Sequence, residues 1–126
     1  MQKLSITKFL PAIIWFIIVL VLMCMPGKDL PEVDGWFQRL YVDKWIHAFL
    51  FGVMTYLFMN PIKRSSYNSK EKINYFIRIA LAASIWGLTI EFIQKYYIPN
   101  RSFDLWDWAA DTAGVLIVFT FLRKKA

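Results

Sequence analysis

Cysteine and histidine are almost absent: Cys24 and His47 are each the only one of their kind in 126 residues. A lone cysteine excludes an intramolecular disulfide, and one of each leaves too few ligands for the common Cys/His zinc cages. Charge is scarce too, at 19% of residues against 58% hydrophobic and 18% aromatic. Such a chain is not disordered, and its mean hydropathy of +0.42 is out of keeping with a small soluble domain. Glycine and proline number only five each. No glycine-rich phosphate loop, nucleophile motif, internal repeat or low-complexity stretch can be read. The length holds a single domain, residues 1–126.

What is plentiful is unbroken apolar sequence. No charge falls between Phe9 and Gly27, close to the roughly 20 residues that a bilayer crossing needs. The run exceeds the apolar core of a cleavable signal peptide, and no small-x-small site follows it. Met23 before Cys24 is a poor lipoprotein cleavage context, so this segment is expected to be retained. Further apolar runs place spans over approximately 9–26, 44–60, 73–95 and 105–122. The expected fold class is all-α: a polytopic membrane protein with four transmembrane helices in a small bundle.

The net charge of +6 could suggest a nucleic-acid partner, but its distribution says otherwise. Lys3, Lys8, Lys63, Arg64, Lys70, Lys72, Arg78, Arg123, Lys124 and Lys125 fall on one side of the spans, with Glu71 as the only acid. Lys28, Arg39, Lys44, Lys95 and Arg101 share the other side with the remaining eight acids. That asymmetry is a positive-inside pattern, so both termini are expected in the cytoplasm of a multi-pass protein of the bacterial inner membrane, without nucleic acid. The 60–72 segment reads as a polar cytoplasmic loop and 27–43 as an external loop with a short interfacial helix.

On this topology the unusual polar residues gather in the outer half. Asp43, Lys44 and His47 share one face of span two, His47 lying about 40° from Asp43 and about 60° from Lys44. Glu91 and Gln94 lie one turn beyond Ser84 and Gly87, whose small size permits close helix approach. Asp104, Asp107, Asp111 and Gly114 follow a 3-4-3 spacing that confines them to an arc of about 80° on span four. Carboxylates so placed need partners or water rather than lipid. Plainer roles are open for each: His47 as a hydrogen-bonded core residue, Asp43 and Asp104 as helix N-caps, Lys44 or Arg101 as the clamp on Asp107 or Glu91. Trp106 and Trp108 read as an interfacial belt.

Asp43-Lys44-Trp45-Ile46-His47 with Gly52, then Glu91-Phe92-Ile93-Gln94, then Arg101 with Asp107 and Gly114, together resemble the signature of VanZ-like bacterial membrane proteins. The match covers the chain from Asp43 to Gly114, and Asp111 departs from it where the family commonly carries Asn. The resemblance implies a cell-envelope membrane protein, by analogy with a founding member linked to resistance to the glycopeptide antibiotic teicoplanin. It brings no reaction with it.

Two readings of the polar set stay open, and with them whether the chain is an enzyme. In the first, the chain binds or processes an anionic lipid-linked envelope precursor at the outer leaflet. His47, Glu91 and Asp107 are then the catalytic candidates, and Lys44, Gln94, Arg101 and Asp111 the ligand-binding ones. A divalent cation, Mg2+ or Mn2+, suits such a donor set, and no other cofactor is indicated. In the second, the same groups form a non-catalytic ion-pair network that fixes the bundle or a partner interface. The first reading expects His47, Glu91, Arg101 and Asp107 to converge in one pocket. The Asn of related chains predicts that Asp111→Asn is tolerated. The sequence does not specify the oligomeric state.

Overall fold

The computed structural model describes residues 4–25, 42–98 and 104–126, with the side chains of Val42 and Asp43 outside the description. The interfacial helix expected over 27–43 and the candidate Arg101 lie outside the described residues. The described chain contains a turn of 3-10 helix over Ile6–Phe9, then helices α1 (Leu10–Met23), α2 (Val42–Lys63), α3 (Ser69–Tyr97) and α4 (Leu105–Arg123), and no strand. Four helical segments are long and apolar enough to cross a bilayer, as the hydropathy pattern predicts, and the chain is a multi-pass membrane protein.

Local chemistry sets the helix ends. The Ser5 hydroxyl accepts from the Thr7 N–H to start the first turn, and a proline sits in the opening turn of α1, where no intrahelical donor is lost. Asn68 and Glu71 form a reciprocal capping box on α3, the Glu71 N–H donating to Asn68 Oδ1 at 2.9 Å and the Asn68 N–H to Glu71 Oε1 at 3.4 Å. The polar segment read as a loop over 60–72 is therefore mostly helical. Pro61 lies inside the last turn of α2, where it forfeits a hydrogen bond without ending the helix, and only 64–68 connects α2 to α3. So short a link makes α2 and α3 antiparallel neighbours.

Half of α2 is buried within the bundle, against 17% of the first span. α2 packs most closely on α4, α3 lies against both, and α1 rests chiefly on α2. Two glycines explain the α2–α4 proximity. A Cβ on Gly114 would run into the Ala48 backbone carbonyl, and one on Gly52 would lie 3.5 Å from the Gly114 oxygen and 3.7 Å from Val118. Because Ala48 faces Gly114 and Gly52 faces Gly114 and Val118, the two helices run parallel. Close backbone approach matters here because lipid offers no hydrophobic drive for helices to associate, leaving packing and polar contacts to do so.

The core divides along the bundle. One buried group joins Val19, Met23, Leu50, Phe51, Met54, Ala83, Ile90 and Val115 across all four helices. The other, at the far end of α2, joins Met59, Ile62, Phe76 and Leu122. The outer faces are apolar as well, with Ile17, Ile85, Ile117 and Phe121 exposed, as a hydrocarbon surround requires.

Candidate functional site

The N-terminal ends of α2 and α4 lie side by side with the C-terminal half of α3, and there the polar residues meet. Lys44, in the first turn of α2, forks between two carboxylates. Its Nζ donates to Asp104 Oδ2 at 2.7 Å and to Asp107 Oδ1 at 2.6 Å. One turn deeper, His47 is buried between two acids on α4, with Nδ1 2.9 Å from Asp111 Oδ1 and Nε2 3.6 Å from Asp107 Oδ2. The 3-4 spacing of Asp104, Asp107 and Asp111 presents one acid per turn of α4, matching Lys44 and His47 on α2.

Asp104 links three elements. Its Oδ1 accepts from the Trp106 N–H at 2.9 Å, making it the N-cap of α4, while its own N–H donates to Glu91 Oε2 on α3 at 3.0 Å. Partial burial opposes ionisation of this carboxyl, but the Lys44 ammonium and the Trp106 N–H outweigh it and hold the group below its ordinary pKa. The N-cap and clamp roles open to Asp104 and Lys44 in the sequence are thus both filled, with Asp104 added as a second acid on the clamp. Among the described residues, Glu91 is paired not with a cation but with a backbone amide.

Glu91 and Asp111 are both fully buried. Glu91 Oε1 and Asp111 Oδ2 have no hydrogen-bond partner among the described residues. Room for Asp111 comes from Gly87, where a Cβ would lie 3.0 Å from Asp111 Oδ2 and 3.3 Å from the Phe51 ring. This is the helix approach expected of Gly87. Its neighbour Ser84 adds a hydroxyl pair with Thr112 at 2.9 Å and a carbonyl that accepts from Trp108 Nε1 at 2.9 Å. Trp108 is therefore turned into the helix interface rather than standing in a belt, while Trp106 is 75% exposed. The indole N–H of Trp108 needs a partner wherever it leaves water, and the Ser84 carbonyl one face away supplies it.

The structure thus brings together His47, Glu91, Asp107, Asp111 and Lys44, with Asp104 joining them. Gln94, also buried, turns its Nε2 away to the Met23 carbonyl at 2.7 Å, where it satisfies an end group of α1. Arg101 and the Asp43 side chain lie outside the described residues. Among the described groups, four carboxylates face one lysine and one imidazole, so the site can hold a cation or relay protons.

Deeper in the bundle, an apolar cavity of about 290 Å3 opens between α1, α2 and α3. Its walls include Phe16, Met54, Phe58, Ala83 and Trp86, and Phe16 stacks on Trp86 at 5.2 Å between ring centroids. The sequence carries no signal for this cavity, because its lining differs from ordinary core residues only in the space left between them. Trp86, on the cavity wall, precedes in the chain Gly87, which faces Asp111 of the acidic cluster.

No curated protein and no solved structure matches the chain. The family model described as VanZ/LLP1 matches residues 5–124, which take in Lys44, His47, Glu91, Asp107 and Gly114; the chain belongs to that family.

Proposed function

We propose that this protein binds, and in doing so presents or processes, an amphiphilic lipid-linked compound with a phosphate headgroup at the outer leaflet of the bacterial cytoplasmic membrane. One observation carries the reading: the bundle that gathers buried ionisable groups at one end also holds an apolar cavity deeper in, between α1, α2 and α3. A lipid with a polar head has that division, and a site sized for hydrocarbon beside convergent polar groups is the usual form of an amphiphile pocket. Lys44 is the described cation for the headgroup and Arg101 the second in this reading. His47, Glu91 and Asp107 are the groups for proton transfer if a reaction follows binding.

The orientation belongs to the same proposal. By sequence position, ten of the 15 Lys and Arg residues fall on the side of the spans away from the acidic residues, and this asymmetry supports both termini in the cytoplasm and the cluster in the outer leaflet. A periplasmic reporter fused after Ala126 should be inactive. The phenotype linked to the family's founding member extends the proposal to the host cell, in which loss of the protein should raise sensitivity to teicoplanin.

Reconstitution in nanodiscs tests the binding claim. Added polyprenyl phosphate should raise the melting temperature, the neutral polyprenol should raise it less, and Ala83→Leu should remove the shift by filling the cavity. Equal indifference to both lipids would overturn the reading. A second reading draws on the fork of Lys44 between Asp104 and Asp107, in which the polar groups hold the bundle or a partner interface without a ligand. It expects no shift with either lipid and a large loss of stability when Lys44 is replaced.

A further inference from the structure

We propose that His47 Nδ1, Glu91 and Asp111 form a binding site for a divalent cation, with Asp107 positioning the imidazole. The inference stands on the cluster itself and does not depend on the lipid reading. One donor atom from each of the three residues lies within 4.8 Å of the others, and all three side chains are buried. Two of the donor residues carry an oxygen with no partner among the described residues, Glu91 Oε1 and Asp111 Oδ2. Ionised oxygens left bare in a buried site are costly, and a cation is one of the few groups that satisfies both at once.

The distances suit one ion. Ligands about 2.1 Å from a metal and at right angles to each other are about 3.0 Å apart, and opposed ones about 4.2 Å. His47 Nδ1 and Asp111 Oδ1 are already 2.9 Å apart, so the pair that touches without metal can become one edge of a coordination shell. Closing the widest donor pair takes a side-chain adjustment of about half an ångström. The far nitrogen of the ring then needs a proton acceptor, and Asp107 Oδ2 stands 3.6 Å from Nε2, itself tied down through Oδ1 by Lys44. A carboxylate behind a metal-bound imidazole is the arrangement that fixes ring orientation and strengthens the ligand.

Charge points the same way. Glu91, Asp104, Asp107 and Asp111 bring four negative charges among the described residues, and Lys44 offsets one. A divalent ion brings the group close to neutral, which is what a membrane interior demands. Two carboxylates and one imidazole favour Mn2+, Mg2+ or Fe2+ over a thiophilic metal.

The test uses the metal alone. Purified protein in lipid-free detergent, with every tag histidine removed, is titrated with Mn2+ and followed by electron paramagnetic resonance. The expected result is one saturable site whose Mn2+ shows coupling to a single imidazole nitrogen, His47 being the only histidine. Glu91→Gln and Asp111→Asn should each weaken binding about ten-fold or more, and Asp107→Asn about ten-fold with the nitrogen coupling retained. Glu71→Gln, at the far end of α3, should leave binding unchanged, as should Ala83→Leu, which separates this site from the cavity. Absence of saturable binding, absence of nitrogen coupling, or full affinity in both ligand variants would overturn the proposal. If the variants do not fold, the nitrogen coupling in the unmodified chain decides. Should Arg101 or a proton satisfy the two oxygens instead, the titration shows no saturable site.

Discussion

The two ends of this bundle are closed by opposite means. At one end Met59, Ile62, Phe76 and Leu122 meet in hydrocarbon contact, and the capping box of Asn68 and Glu71 lies just beyond. At the other, Lys44, His47, Glu91, Asp107 and Asp111 meet through hydrogen bonds and ion pairs, and two buried oxygens remain unpartnered among the described residues. The same three helices form both ends, so the difference cannot come from the architecture. Apolar packing alone closes the first end, whereas the buried ionisable groups at the second carry a desolvation cost that such packing avoids. Groups kept at such a cost inside a membrane are where function is expected.

That contrast can be broken most sharply at its apolar end. Phe76→Ala removes a fully buried ring and should cost about 3 to 5 kcal/mol, the range for emptying a core aromatic site. The check is reversible unfolding in mixed micelles. Lys44→Met should cost less, about 2 to 3 kcal/mol, because Lys44 is one-fifth exposed and because Asp104 and Asp107 can each turn toward water once it is gone. If the lysine variant proves the more damaging, the polar end is holding the bundle together and the non-catalytic reading gains.

A smaller effect should follow pH. Asp104 titrates below its ordinary value of 3.8 in the folded state, so its contribution to stability is complete above that value and fades as pH falls through the lowered one. The melting temperature of the unmodified chain should therefore exceed that of Asp104→Asn by a constant margin above about pH 5 and converge on it in more acidic buffer. A margin that persists in acid would show that the N-cap geometry, rather than the charge, supplies the stability. Smallest of all should be Asp111→Asn without metal, within about 0.5 kcal/mol of the parent. Asn keeps an acceptor for His47 and sheds a buried charge.

Much of this arrangement was legible in the sequence because period and charge carried it. Unbroken apolar runs marked the four helices, and the 3-4-3 spacing of Asp104, Asp107, Asp111 and Gly114 gathered them on one face of α4 that could not be turned to lipid. Gly87 signalled the approach of α3. What could not be read depended on which neighbour a side chain finds. Trp108 and Trp106 look alike as letters, yet only one reaches the Ser84 carbonyl. Gln94 looks like a member of the cluster by its spacing from Glu91, but the end of α1 claims its amide. The 60–72 segment looked like a loop because polar composition hides helix, while the cap at Asn68 shows where helix resumes.

The contact of Gly114 with Ala48 also bears on how the chain is assembled. α2 and α4 are not consecutive, since α3 intervenes, and their register is fixed where the two backbones touch. Lys44 and His47 therefore enter the membrane before Asp107 and Asp111 have been synthesised, and must be tolerated there by water, lipid headgroups or the insertion machinery. Only when α4 slides in beside α2 until Gly114 meets Ala48 do both pairs come level in one step. A bulkier residue at that glycine would leave the late helix parked at the wrong depth, its acids out of reach of the lysine and histidine that have been waiting for them.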